Sequence, residues 1–279
     1  EGLLEQSHLP EEVVVVDQPP LADRPEGFYE TFGTLPIVLV NLETPSLSRS
    51  RNIGARRAKG DFLLFLDDDM IVNSELVSNH LKVQKEEKVD VVYGAISTSE
   101  DLPTTYERDT KNLDPLGFFL KSPNKKWDGM TLVTSGANTL IRRRYFFNVG
   151  GYDENMPRME DIELGYRLYL DGAKMYYSAS PWAIHKPAST GGTRATQINI
   201  RYTRLLSKVY LYKKHFDGWT SKQFYLLVIR NALTFRDPIS GTFYLSHLRQ
   251  VFWPVQTILM LYRAHRKAVM MLNSEIQEG

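Results

Sequence analysis

An α/β protein is predicted, with a mostly parallel sheet, helices on both of its faces and a helical extension towards the C-terminal end. Two observations predict it. Short runs of consecutive apolar residues, such as Val13 to Val16, alternate with segments of helical periodicity, a pattern that calls for crossover connections and a sheet covered on both sides. From about Ala195 onward only helical patterns remain, with aromatic and basic faces.

Val13 to Val16, closed by Asp17 and the turn Pro19-Pro20, reads as a buried parallel strand, and Leu35 to Leu42 as a second. SRSRNIGARRAK, Ser48 to Lys59, reads as an arginine-rich helix stopped by Gly60, and Phe62 to Leu66 as the third strand. Asn73 is the expected N-cap of the helix SELVSNHLKVQKEEK, and VDVVYGAI supplies a fourth strand. From about Ser97 to Met130 the periodicity is weak and prolines accumulate, as in insertions that carry specificity. Then follow the strand-like TLVTSGANTLI, the turn NVGGYDENMPR, the helix EDIELGYRLYLDG stopped by Gly172, and the strand KMYYSASPWAIH. STGGT, Ser189 to Thr193, reads as a hinge-like loop, and two domains are expected, 1–194 and 195–279.

The 279 residues carry 34 basic and 33 acidic side chains, a net charge of +1, so no global field favours a nucleic acid and none is expected as a partner. The absence of cysteine excludes disulfides, thiolate metal sites and cysteine nucleophiles, and points to a cytoplasmic location. No apolar run reaches the ~18 residues of a membrane span, and EGLLEQSHLP lacks the features of a signal peptide. The chain starts without Met, in what reads as the end of a helix, so upstream sequence is expected. YLLVIRNALTF and FWPVQTILMLYRAHRKAV mix apolar and basic residues. Packing in a core is the first reading of these two, and peripheral contact with the inner face of a membrane the second.

FLLFLDDDM, Phe62 to Met70, runs an apolar strand into three carboxylates. Acids this close repel one another unless a positive charge shares the site. The ends of strands are where open α/β sheets bind ligands, and Asp17 occupies a second such end. A hard cation, Mg²⁺ or Mn²⁺, suits oxygen ligands supplied by Asp67 and Asp69 together with substrate phosphates; a solvated acidic turn is the plain alternative. Upstream, Arg56, Arg57 and Lys59 read as a solvated helix face, whereas Arg51-Asn52, near a helix start, is the better candidate for an anion. Glu160-Asp161 opens a helix, where carboxylates are favoured, and Glu163 can pair with Arg167 four residues on. Gly136 to Asn138 can bring backbone close to a substrate. His185 ends a strand and is placed to complete a metal shell.

The order VVVVDQ, then SRSRNIGARRAKGDFLLFLDDDM, then TSGANTLIRRRYFFNVGGYDENMPRMEDIELGYRLYLDG with WAIHKP resembles the family 2 glycosyltransferases of the GT-A fold, over residues 10 to 190. The resemblance implies a metal-dependent, inverting transfer from a nucleotide-diphosphate sugar, a UDP sugar above all, to a glycan, lipid or other hydroxyl. It makes 1–194 the catalytic domain. It implies that Asp17, Arg51, Asp67, Asp68 and Gly136 bind the donor, that Asp67, Asp69 and His185 hold Mn²⁺ or Mg²⁺, and that Asp161 is the catalytic base with Glu160 in support. The family's first strand has no counterpart here. Two rivals stand beside this reading. A haloacid-dehalogenase-type phosphotransferase would want Thr or Val where Ile71 stands; a non-catalytic nucleotide-sugar or carbohydrate-binding module would bind without turnover.

Overall fold

The computed structural model of the chain describes residues 2–17, 27–44, 46–97, 128–131, 134–186, 197–216, 218–233 and 253–278. STGGT, the 194/195 boundary and nearly all of the segment between Ser97 and Met130 lie outside the described residues. The described residues up to 186, apart from 155–159, form one compact unit; residues 155–159 and the helices from 197 onward belong to a second.

In the first unit, β1 (Val13–Asp17) and β2 (Ile37–Asn41) pair in parallel as a two-stranded sheet, half-buried for most of β1 where full burial was expected. Among the described residues, six further strands form the main sheet: β3 (Phe62–Phe65), β4 (Met70–Val72), β5 (Val91–Ser97), β6 (Gly129–Met130), β7 (Thr139–Arg142) and β8 (Met175–His185), in the order β3-β7-β5-β8-β4 with β6 also on β8. Within it only β5 and β8 run parallel; β7 is antiparallel to both β3 and β5, and β4 and β6 are antiparallel to β8. The expectation of a mostly parallel sheet is therefore wrong, and the sheet is mixed. Strand–helix alternation along the chain gave no sign that β7 would enter between β3 and β5 and run against each.

Helix α1 (Leu47–Arg57) ends before Gly60, its C-cap being the extended Ala58. The Lys59 and Gly60 N–H groups instead donate to Glu12. Helix α2 (Leu76–Glu87) is not capped by Asn73, which accepts from the Glu75 N–H. Gln6 does that work: its Oε1 takes the Val77 N–H at 3.0 Å while its Nε2 donates to the carbonyls of Gly2 and Asn73. The N-terminal residues are thus turns tied to α2, and no helix is present at residues 2–5. Helices α3 (Arg143–Asn148) and α4 (Glu160–Leu170) follow, and Gly172, at φ +81°, closes the turn after α4 as expected. Leu63 and Phe65 of β3, Ile141 of β7, Phe146 of α3 and Leu164 and Leu168 of α4 share one buried cluster. The end of β3 is therefore anchored to the very helix that Glu160-Asp161 begins.

The second unit contains α5 (Gln197–His215), α6 (Gly218–Leu233) and α7 (Trp253–Glu278). Tyr212 of α5 stacks on Phe224 of α6 with centroids 4.4 Å apart. Leu261, Ala264 and Ala268 give α7 one buried stripe, while Ile258, Leu259, Tyr262 and Met270 stay exposed beside Arg263, Arg266 and Lys267. No helix among the described residues is long and apolar enough to cross a membrane.

Candidate functional site

Arg51 joins the two acidic motifs. It projects from α1 and donates from one terminal nitrogen to Asp67 Oδ1 and from the other to Glu160 Oε1, both at 2.9 Å. Its guanidinium lies against Gly136, where an added Cβ would come within 2.3 Å of it, and over the ring of Tyr152, 5.3 Å from the centroid. Burial opposes the charge on Arg51, but Tyr152, Asp67 and Glu160 outweigh that cost and raise its pKa above the ordinary value. Four residues named from the sequence, Arg51, Asp67, Gly136 and Glu160, thereby meet at one point. Asp161, next in α4, accepts the Ile162 N–H on its own Oδ1, and its backbone carbonyl accepts from Thr134 Oγ1 at 2.6 Å.

Asp69 and His185 form a second contact. Met70 pairs with His185 across β4 and β8, which brings His185 Nε2 to 3.1 Å from Asp69 Oδ2, and Lys186 N–H bonds the Asp69 carbonyl. Both side chains are partly exposed, at 27% and 34%. Among the described residues, no group of three or more His, Cys, Asp or Glu side chains converges. A carboxylate and an imidazole edge open to solvent still fit a cation such as Mn²⁺ or Mg²⁺, whose remaining positions are commonly filled by water and substrate phosphates. Asp68 is exposed, as are Arg56, Arg57 and Lys59. Asp17, buried at the end of β1, takes a hydrogen bond of 2.6 Å from the Tyr29 hydroxyl.

The structural roles of the supporting residues are the part that sequence reasoning missed. Asn52, next to Arg51, bonds both backbone groups of Tyr152, taking its N–H and donating to its carbonyl at 2.8 Å each, and donates to Glu154 as well. Glu163, fully buried, grips Arg167 with both oxygens, and Arg167 donates to the carbonyls of Val149 and Gly151. The expected helical ion pair is present, and it serves to fix the GGYDE turn on which Tyr152 sits.

Asn138 is the other hub. Its φ of +59° is one that Asn tolerates, and its amide nitrogen donates to the carbonyls of Ala95 and Pro181. Its oxygen must then accept from His80 Nε2, at 2.7 Å, which leaves Nδ1 as the bare nitrogen of a fully buried ring. Burial pushes the His80 pKa down to about 4, against a weaker pull from Asn138. The unfolded chain takes up this proton near 6.5 and the folded chain only near 4, so stability is full above that window. It falls across the window as pH drops, by up to about 3 kcal/mol. Urea titrations at about pH 7.5 and about pH 5 should show the loss, and His80→Gln should reduce it; identical losses in both proteins would clear His80.

The chain has an α/β fold, a mixed sheet with helices, that matches structures of the GT-A type. Residues 1–150 match the family described as Glycosyl transferase family 2, and the chain belongs to that family. It is 29% identical over 197 residues to the mouse inactive polypeptide N-acetylgalactosaminyltransferase-like protein 5, covering 62% of this chain and 44% of that one. An uncharacterized glycosyltransferase of Haemophilus influenzae is 23% identical over 222 residues, 77% of this chain and 70% of its own. The chain thus spans less than half of the mouse relative's length. Among solved structures, S. aureus TarS 1-349 in complex with UDP-GlcNAc superposes with a TM-score of 0.60 at 17% identity, over 97% of this chain and 75% of that one. GalNAc-T7 with UDP, GalNAc and Mn²⁺ gives 0.57 at 15% identity, over 88% and 51%.

Proposed function

We propose that this chain is the donor-binding and catalytic part of a metal-dependent, inverting glycosyltransferase that uses a nucleotide-diphosphate sugar, with a UDP sugar as the first donor to try. The observation that carries the reading is the single guanidinium shared by Asp67 and Glu160. Arg51 offsets one of those two carboxylates; with Asp69 and Asp161 close by in sequence, the acidic side is in excess. A diphosphate would be repelled from such a site unless a cation came with it. Asp67, Asp69 and His185 are the residues that would hold Mn²⁺ or Mg²⁺, which when bound offsets negative charge on the diphosphate. Two structures of similar fold were determined with UDP-GlcNAc and with UDP and Mn²⁺, which supports the choice of ligands to test. Asp161, its backbone fixed by Thr134, is the group we assign to take the proton of the acceptor hydroxyl as that oxygen attacks. Gly136 leaves room for Arg51.

The phosphotransferase reading loses its footing, because Glu160-Asp161 starts a helix and does not end a strand. A non-catalytic binding module keeps one argument, the mouse relative named as inactive. Calorimetry with UDP and Mn²⁺ tests the site. The parent should bind UDP in a manganese-dependent way, Asp69→Asn should lose that dependence with its fold intact, and His185→Ala should weaken binding in manganese but not in a chelator. An Asp69→Asn protein that binds like the parent would show the assignment to be wrong. A parent that binds UDP-sugars and never turns them over would be a binding module.

A further inference from the structure

Tyr152 is packed as an apolar residue and carries a hydroxyl that the packing does not use. Its ring lies edge-on to Phe65 and Phe146, with centroids 5.4 and 5.7 Å away, under the guanidinium of Arg51. The residue is 2% exposed, and its hydroxyl has no hydrogen-bond partner among the described residues. Such a group costs stability, since it has given up water and gained nothing in return. Phenylalanine would fill the same bed without that cost. Arg51, which lies over the ring, bridges Asp67 and Glu160. The orphaned donor therefore sits among the side chains of the proposed donor site.

We propose that Tyr152 is a positioning residue whose hydroxyl is satisfied only when a nucleotide diphosphate is bound. This rests on the reading of Arg51 and Asp67 as donor-binding groups. A guanidinium that holds two carboxylates in the free protein can exchange one of them for a phosphate group, which it can also hold bidentately. Of the two, Glu160 is released, and the Tyr152 hydroxyl donates to the carboxylate that Arg51 has left. Glu160 then stays in place beside Asp161 instead of swinging away as an unpaired, partly buried charge. The free protein bears an unsatisfied hydroxyl, and the liganded protein removes the defect, so part of the binding free energy comes from a cost already present before binding.

The test is Tyr152→Phe, a change that deletes one oxygen and leaves the ring packing in place. Without ligand, the variant should melt higher than the parent, by roughly 2 to 4 °C. With Mn²⁺ present, it should bind UDP about fivefold more weakly, because the defect that binding repairs is gone. In a double-mutant cycle with Glu160→Gln, the effect of Tyr152→Phe on UDP affinity should shrink by at least about half. A variant that melts higher and binds UDP as the parent does would overturn the proposal, as would a full-sized effect in the Glu160→Gln background. UDP that fails to bind the parent removes the donor-site reading and this inference together; UDP that binds parent and variant alike removes the inference alone.

Discussion

Gly94→Ala is expected to leave little folded protein. Gly94 lies in β5 where the register with β8 shifts, between the pairs Gly94 with Ser178 and Ile96 with Ala183. Pro181 occupies the irregular stretch of β8, where a proline costs no ladder bond. A Cβ on Gly94 would stand 2.2 Å from the Pro181 carbonyl oxygen and 2.4 Å from Asn138 Nδ2. The first neighbour is backbone in the middle of a sheet and cannot yield. The second is the amide that ties β5 and β8 together and holds His80. Overpacking of this kind costs about 1 to 3 kcal/mol, and each buried polar group robbed of its partner adds about 1 to 3 more. The sum is a large share of the ~5 to 15 kcal/mol that keeps a domain folded. Soluble yield and urea midpoint report it. Gly150→Ala is the control: at φ +81° with nothing within 4 Å of the added Cβ, it should cost only the ~1 to 2 kcal/mol of a left-handed backbone. A Gly94→Ala protein as stable as that control would mean that the Asn138 hub does not hold the sheet.

These glycines mark the limit of what the sequence could reveal. The order of motifs was legible, because each is local: an arginine near a helix start, acids after an apolar strand, an acidic pair opening a helix. Arg51, Asp67, Gly136 and Glu160 could be named from such patterns, and the fold brings them to one place. The strand direction of β7 was not legible, because it depends on which gap in the sheet the strand enters, and no local pattern records that. Gln6 was invisible for a similar reason: a helix cap supplied from some seventy positions upstream has no spacing rule. Tyr152 lies inside the turn NVGGYDENMPR, yet no local pattern marks its role. The sequence NVGGYDENMPR reads only as a turn, whereas its aromatic supports Arg51.

Asp161→Asn is the substitution on which the proposed chemistry stands. Asparagine keeps the size of the side chain and an oxygen to accept the Ile162 N–H, so the start of α4 should persist. The Thr134 bond to the backbone carbonyl does not involve the side chain at all. Melting temperature and UDP affinity should therefore stay near the parent values. What disappears is a basic carboxylate, and transfer to an acceptor hydroxyl should fall by roughly 10² to 10⁴, the usual weight of a general base. Glu160→Gln should behave differently. The structure ties Glu160 to Arg51, so its loss is expected chiefly in donor affinity, where a role limited to orienting its neighbour would have left affinity untouched. The pair thus separates into a rate phenotype and a binding phenotype, and a reversed pattern would exchange the two assignments. Product stereochemistry gives an independent check. One in-line attack assisted by a base inverts the anomeric centre, whereas retention would require a second displacement or an attack from the leaving group's own face. A retained product, or an Asp161→Asn protein that transfers sugar at the parent rate, would take the base away from Asp161 and leave Arg51, Asp67 and Glu160 as a binding site in search of its chemistry.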